Sequence, residues 1–206
     1  MHRSTRRRSL PSGLAALCLI LSAIAAACGS SASASIDPSA PCGGVDVQRA
    51  VGVYPDLESR LPATLAGRGP SIRDSGRYCS RKTLGPLIGA GHDEVRFAGT
   101  TFPTTGEAGL SLVVYAAPGL TADEMASAFR AGAASGRRVQ VVSDAERVVD
   151  GRAGRRLELI NGDARQVVVV WPDAEAGRVL AVIGSDVSNA DVDGAVTALA
   201  GAAGGD

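Results

Sequence analysis

The chain has very few of the residues on which most enzyme chemistry depends. Beyond residue 27, His92 is the only histidine and Lys82 is the only lysine, and Trp171 is the only tryptophan of the chain. A Ser–His–Asp triad would have to use His92. Asp93 and Glu94 follow His92, but adjacent residues of an extended segment point in alternate directions and converge poorly on one metal ion. The sequence therefore predicts no catalytic residue, no metal ion and no cofactor.

Nucleic-acid and nucleotide binding are also poorly supported. The formal net charge is zero, and the first 27 residues hold four arginines and no acidic residue. Without them, 17 basic residues face 21 acidic ones, a net charge of about −4. Nucleic-acid affinity depends on phosphate neutralisation, so we expect no nucleic-acid partner. Gly89-Ala90-Gly91 lacks the third glycine of a dinucleotide fingerprint and is typical of a turn.

The N-terminus has the three zones of an export signal. The basic zone comprises Arg3, Arg6, Arg7 and Arg8. An uncharged, mostly apolar run follows over 14–27, and Ala25-Ala26-Ala27 precede Cys28. This order predicts a signal peptide over 1–27, with an uncleaved signal anchor as the alternative. Thr5 to Leu10 loosely matches a twin-arginine export motif, so the export route stays open.

The stretch around Cys28 resembles the bacterial lipobox, in which small residues precede a cysteine that receives diacylglycerol. Ala25 stands where that family prefers leucine. The resemblance implies that Cys28 is lipidated and becomes the first residue of the mature protein. Two or more acyl chains, at about 0.8 kcal/mol per buried CH₂, give stable anchoring. We therefore expect a lipid-anchored protein on the extracytoplasmic face of the cell membrane.

Two cysteines remain for the folded part, Cys42 and Cys79. In an exported chain, an even pair predicts a disulfide. Two free thiols or a metal-binding pair are the alternatives, although the sequence offers no second pair of ligands.

The composition divides the chain into a tether, one domain and a tail. Residues 28–41 are small and polar and include two prolines, which predicts a flexible tether. We expect one domain over 42–200 and a loose tail over 201–206.

The sequence pattern predicts α+β structure. We expect a short helix over 45–53, with Val47, Ala50 and Val51 on one face. Thr121 and Glu124 form a capping box that starts a second helix. The predicted strands cover 95–97, 110–115, 139–142, 156–159, 167–171 and 179–183.

The last two predicted strands are apolar on both faces, so both sides of the sheet must be covered there. Asn161-Gly162 predicts a hairpin turn, and a helix over 189–200 ends the pattern. We expect one antiparallel sheet flanked by helices.

The order of these elements resembles a known group of proteins. A tether, then Cys42-Gly-Gly-Val-Asp-Val-Gln-Arg-Ala-Val-Gly, then Tyr78-Cys79, is similar to small envelope lipoproteins of high-GC Gram-positive (actinobacterial) bacteria. The order of strands and helices over 95–200 is similar to the PsbP-like fold of the LpqN-type lipoproteins. That fold has no shared active site, so the resemblance implies no functional residues.

Ligand-binding candidates come from one arginine-rich stretch and the single tryptophan. Seven arginines between 137 and 165 are interleaved with five acidic residues. Arg155, Arg156 and Trp171 are the candidates for binding an anionic envelope component; salt bridges and core packing are the alternative.

We expect a non-catalytic binding or scaffolding module that contacts the membrane and an envelope protein or anionic component. A lipid or small-molecule carrier is the second hypothesis, and a hydrolase that uses His92 is the third.

Overall fold

Strands contain more residues than helices in the part of the chain that the structure describes. The computed structural model describes residues 36–42, 47–104, 108–136 and 138–204. Its strands are β1 (Val47–Ala50), β2 (Ile72–Tyr78), β3 (Val95–Pro103), β4 (Gly109–Ala116), β5 (Val139–Val149), β6 (Arg152–Asn161), β7 (Ala164–Pro172) and β8 (Arg178–Ser185). Its helices are α1 (Pro55–Glu58), α2 (Arg81–Leu84), α3 (Ala122–Ser135) and α4 (Asn189–Gly204), with a 3₁₀ turn at Gly85–Ile88.

The eight described strands form one antiparallel sheet. Their order is β1-β2-β3-β4-β8-β7-β6-β5, and each neighbouring pair is antiparallel. β1 to β4 form one meander and β5 to β8 form another, and the two meet where β4 pairs with β8. A single antiparallel sheet with helices is the predicted α+β class, which is confirmed. β1 and β5 are the edge strands.

Each face of the sheet is covered by one long helix, as the two-sided apolar runs predict. β7 alternates between the two hydrophobic clusters of the core: Val169 belongs to one and Val168 to the other. α4 packs on the first face through Val192, Val196 and Leu199, and α3 packs on the second through Met125 and Ala126. We call these the α4 face and the α3 face.

Two tight turns set the register of the second meander. Asp150 and Gly151 both have positive φ, 49° and 73°, as a type I′ hairpin between β5 and β6 requires. Asn161 pairs with Ala164, so the β6–β7 turn consists of Gly162 and Asp163. This turn lies one residue later than the sequence predicts, because only Gly162, with φ 60°, adopts the left-handed conformation.

The predicted helix over 45–53 is wrong for the residues that the structure describes. Val47–Ala50 is a strand that pairs with Ser75–Tyr78 of β2, and the sequence analysis did not predict β2. Gly76 makes this pairing possible, because a Cβ there would lie 2.0 Å from the carbonyl oxygen of Gln48. The helical spacing of three small apolar residues is thus overridden by a pairing that lies outside any local window.

The C-terminal helix is longer than predicted. α4 continues through Gly204, and Ala203 is buried in the core of the α4 face. The guanidinium of Arg60 donates a hydrogen bond to the carbonyl oxygen of Ala203, so the last turn is attached to the first meander. Residues 201–204 therefore belong to the folded domain.

Within the described part of the chain, no helix has the length and apolarity needed to cross a membrane.

Candidate functional site

The predicted lipidation site, Cys28, lies outside the described residues, as do the signal over 1–27 and most of the tether. The structure describes the tether from Ile36 onwards.

Cys42 and Cys79 lie at disulfide distance, as the sequence predicts. Their Cα atoms are 5.4 Å apart, and 37 residues separate them along the chain. Cys79 directly follows β2, so the bond joins the start of the predicted domain to the second strand. Glu94 Oε2 lies 3.2 Å from Cys42 Sγ. These three residues are grouped closely enough for a metal, but the disulfide uses both sulfurs, and thiolates are what a metal binds.

A buried arginine fixes the chain just before Cys42. The side chain of Arg77 is only 2% exposed. Its Nη1 donates to the carbonyl oxygen of Ala40 (2.6 Å), and its Nη2 lies 3.4 Å from that of Asp37. Its Nε donates to Gln48 Oε1 of β1 at 2.8 Å. The segment 37–40 therefore packs against β1 and β2.

The charge of Arg77 is balanced by Glu94. The Nη1 atom lies 3.4 Å from Glu94 Oε2, and the exposed guanidinium of Arg96 approaches the other carboxylate oxygen at 2.9 Å. A buried charge is costly unless it is paired and hydrogen-bonded. The carbonyl oxygens of Asp37 and Ala40 add to the contacts with Glu94 and Gln48, so the buried Arg77 and this segment support each other. We call β1, residues 37–42 and Cys79 the β1 edge.

His92 is buried beside the first turn of α3. Its Nε2 lies 3.3 Å from Glu124 Oε2, the carboxylate of the predicted capping box. The hydrogen bond from the backbone N–H of Thr121 contributes most to lowering the pKa of Glu124. The hydrogen bond from His92 lowers this pKa further. Among the described contacts of the ring there is no serine hydroxyl to serve as a nucleophile. The arrangement stabilises a helix start.

Arg155 and Arg156 lie on opposite faces of the sheet. Arg155 donates to Asp144 Oδ1 from Nε (3.0 Å) and Nη2 (2.5 Å), and Arg130 of α3 binds the other oxygen of the same carboxylate. Arg156 contacts Asn189 (2.8 Å) and Asp193 (3.7 Å) of α4. Each arginine thus links a strand to the helix on its own face.

The ion pairs of Asp144 favour the charged form of its carboxyl. Desolvation raises its pKa, but the hydrogen bonds from Arg155 and Arg130 outweigh this and hold the pKa below its ordinary value. The ion pairs Arg130–Asp144 and Arg155–Asp144 join α3, β5 and β6.

Trp171 lies in the core of the α4 face with no exposed surface. Its Nε1 has no hydrogen-bond partner among the described residues. The backbone of Gly154 runs against it: a Cβ at Gly154 would lie 2.8 Å from Trp171 Cβ. The structure therefore does not bring Trp171, Arg155 and Arg156 together on one surface.

The edge strand β5 is the feature that the sequence analysis missed in large part. Only 139–142 was predicted, whereas the strand runs for 11 residues and pairs with β6 alone among the described strands. Val142 (61%) and Val148 (71%) are exposed on it. The Asp150-Gly151 turn signal was present in the sequence and would have shown where this strand ends. We call Val139–Val149 the β5 edge.

An open groove lies beside one end of the β5 edge. Its volume is about 620 Å³, and it separates the β5–β6 turn from the C-terminal half of α4. The lining is mostly small and apolar, with one charged residue of each sign: Arg147, Val148, Val149, Asp150, Val196, Thr197, Ala200, Gly201 and Gly204. Ligand sites have volumes in this range but are more enclosed.

Comparisons with known proteins do not add a family to these observations. No family model, curated protein or solved structure matches the chain.

Proposed function

We propose that this chain is a membrane-anchored, extracytoplasmic lipoprotein whose domain is a non-catalytic binding module of the cell envelope. The anchor in this proposal is the acylated Cys28, and the binding element is the β5 edge. The partner is a protein that adds an extended segment to this edge.

The single observation that supports the binding role is the long β5 edge. An edge strand presents a row of outward N–H and C=O groups, and proteins commonly block such rows with short strands or inward charges. β5 has 11 residues. Two of its charged side chains are already engaged with other elements, Asp144 with Arg130 and Arg155, and Arg147 with Asp193 at 3.0 Å. Main-chain pairing of an added strand gives affinity, and alternate side chains give specificity.

A photo-reactive side chain tests the binding role. The exposed Ala145, in the middle of β5, is replaced by p-benzoylphenylalanine, and the full-length protein is irradiated in intact cells. We expect one dominant protein adduct, identified by mass spectrometry, that disappears when Val142→Lys is added. The same probe at the exposed loop residue Asp93 is the matched control. No adduct at position 145, or the same adduct from both positions, would refute the binding role.

Membrane fractionation tests the anchor. Cys28→Ala should move the protein from the membrane to the soluble exported fraction and abolish acyl labelling, because two acyl chains supply the membrane affinity. Cys18→Ala is the matched control, since Cys18 lies inside the apolar run of the signal and its loss should change nothing. Labelling that persists without Cys28 would refute the anchor.

The groove beside α4 favours a second candidate function, a lipid or small-molecule carrier. Its 620 Å³ and its mixed lining, with valines as well as Arg147 and Asp150, suit a small ligand that has both apolar and polar groups. Ala200→Trp would fill the groove. If the protein is a carrier, solvent extracts of the purified Ala200→Trp variant should contain no bound lipid. If the protein is a binding module, the variant should still give the photo-adduct at position 145. A hydrolase that uses His92 has less support, since this imidazole contacts Glu124.

A further inference from the structure

One carboxylate on the β5 edge has no partner within the part of the chain that the structure describes. Glu146 is exposed, and it makes no hydrogen bond or ion pair with a described residue. It lies opposite Arg155 of β6, but the Nε and Nη2 atoms of that arginine donate to Asp144 instead. Arg147 is paired with Asp193. Among the charged residues of β5, Glu146 is therefore the one that can still pair with a residue of another chain.

The surroundings of Glu146 have an excess of negative charge. Arg130 and Arg155 share the carboxylate of Asp144. Asp123, in the first turn of α3, is also close enough to act on the charge of Arg155, as is Glu146. Three carboxylates thus face two guanidiniums, a net charge of −1. A cationic side chain beside Glu146 would be attracted, and an anionic one would be repelled.

An exposed apolar surface lies next to Glu146 on the same face of the sheet. Val148 follows two residues later, so its side chain points to the same side of β5. It is 71% exposed. Ala153, its partner in the register with β6, is also exposed. The α3 face of the β5 edge therefore offers a carboxylate and an apolar side chain, one strand repeat apart.

We propose that the segment that binds the β5 edge has a lysine or arginine opposite Glu146 and an apolar residue opposite Val148. This inference rests on the proposed binding role of the edge and names the chemistry of its partner. Every described strand pair of the sheet is antiparallel, and the added segment continues this pattern. Its apolar residue then lies two positions before its basic residue. Main-chain pairing supplies affinity, and these two side chains supply selectivity.

Charge disfavours a second copy of this chain as the added strand. In an antiparallel pair of two β5 strands across a two-fold axis, a centre at Ala145 places Asp144 opposite Glu146. A centre at Glu146 or at Arg147 places that residue opposite itself. Like charges directly opposite each other destabilise a strand pair. The charges of β5 therefore favour a different, basic segment.

The photo-adduct at position 145 tests the charge of the partner in the full-length protein. Glu146→Lys should lower the yield of this adduct by about ten-fold or more, because it places a cation opposite the cation of the partner. Glu146→Gln removes the carboxylate without adding a cation next to Arg155, and it should give an intermediate yield. Asp93→Lys is the matched control, since it makes the same change of charge in an exposed loop, and it should leave the yield unchanged.

The outcomes separate this inference from the binding role itself. An adduct whose yield is the same with Glu146, Glu146→Gln and Glu146→Lys would overturn the inference and leave the binding role intact. An absence of any adduct in the parent protein would overturn both.

The sequence of the cross-linked segment gives a second, independent test. Mass spectrometry should identify a lysine or arginine with an apolar residue two positions before it. Replacement of that basic residue by glutamate should abolish the adduct with the parent protein and restore it with Glu146→Lys. A cross-linked segment without a basic residue, or a failure of the exchanged charges to restore the adduct, would contradict the inference.

Discussion

The two edges of the sheet are held in different ways. β1 has four residues, yet its neighbourhood contains the disulfide, the buried Arg77 and the residues that lead into the fold. β5 has 11 residues, pairs on one side only and exposes Val142 and Val148. A short edge that is cross-linked to the rest of the chain is poorly suited to binding, whereas a long, one-sided edge is well suited to it. The β1 edge is thus the fixed entry point of the chain, and the β5 edge is the one that the proposed binding role would use.

Removal of the disulfide should have the largest effect on the β1 edge. Cys42→Ala with Cys79→Ala opens a loop of 37 residues, and the chain-entropy model predicts a loss of about 4 kcal/mol in the free energy of unfolding. Denaturant titration of the mature protein measures it. Wild-type protein under reducing conditions is the control and should match the variant. A loss below about 1 kcal/mol would mean that the cross-link does not hold this edge.

Loss of the buried guanidinium should rank second. Arg77→Met leaves Glu94 without its buried partner and frees residues 37–40, which should lower the free energy of unfolding by about 3 kcal/mol. Arg96→Met is the matched control, because Arg96 pairs with the same carboxylate but is half exposed, and it should lose less than about 1 kcal/mol. Equal losses in the two variants would contradict the role of burial.

A single methyl group should disturb the pairing of β1 with β2. Gly76→Ala places a Cβ against the carbonyl oxygen of Gln48, a backbone atom that cannot move cheaply. We expect a loss of about 2 kcal/mol, with faster amide exchange over β1. Gly69→Ala meets nothing within 4 Å and has no positive φ, so it should change little. If the two substitutions behave alike, the close approach of β1 and β2 is not as described.

Acid should weaken two contacts of α3, the ion pair of Arg130 with Asp144 on the β5 edge and the contacts of Glu124 at the start of the helix. The pKa values of Asp144 and Glu124 are lowered from 3.8 and 4.5. A lowered folded-state pKa contributes stability that is present above these values and is lost as the pH falls through the folded-state pKa. Denaturant titrations from pH 6 down to about pH 3 should therefore show falling stability. Asp144→Asn should flatten the slope, and a wild-type protein with constant stability over this range would contradict the prediction.

A charge on the β5 edge should have the smallest effect on stability. Val148→Lys replaces an exposed apolar side chain with a cation. We therefore expect the free energy of unfolding to change by less than about 0.5 kcal/mol. The matched control, Val182→Lys in the buried strand β8, should lose several kcal/mol. A large loss from Val148→Lys would mean that this edge is packed against something that its exposure does not show.

Local signals in the sequence predicted the start of α3 and the strands β7 and β8. Thr121 and Glu124 form the capping box within four residues, and the apolar runs of β7 and β8 predicted a sheet covered on both faces. The coarse fold class follows from these signals. They are reliable because each lies within one short window.

The β1 edge depends on partners far away in the chain, which no local pattern shows. Val47–Ala50 has helical spacing, but its pairing with β2 is made possible by Gly76. Arg77 looks like any surface arginine until Ala40 and Glu94, 37 and 17 residues away, cover it. Trp171 and Arg155 were candidates for ligand binding because nothing local shows that one is in the core and the other is bound to Asp144.

Amide hydrogen exchange at the two edges of the mature protein tests the central contrast most directly. The account predicts that alternate amides along β5 exchange rapidly, while the amide of Ala40 stays protected until the disulfide is reduced. Protection of every β5 amide, or exchange at Ala40 as rapid as in an unfolded chain, would contradict the account.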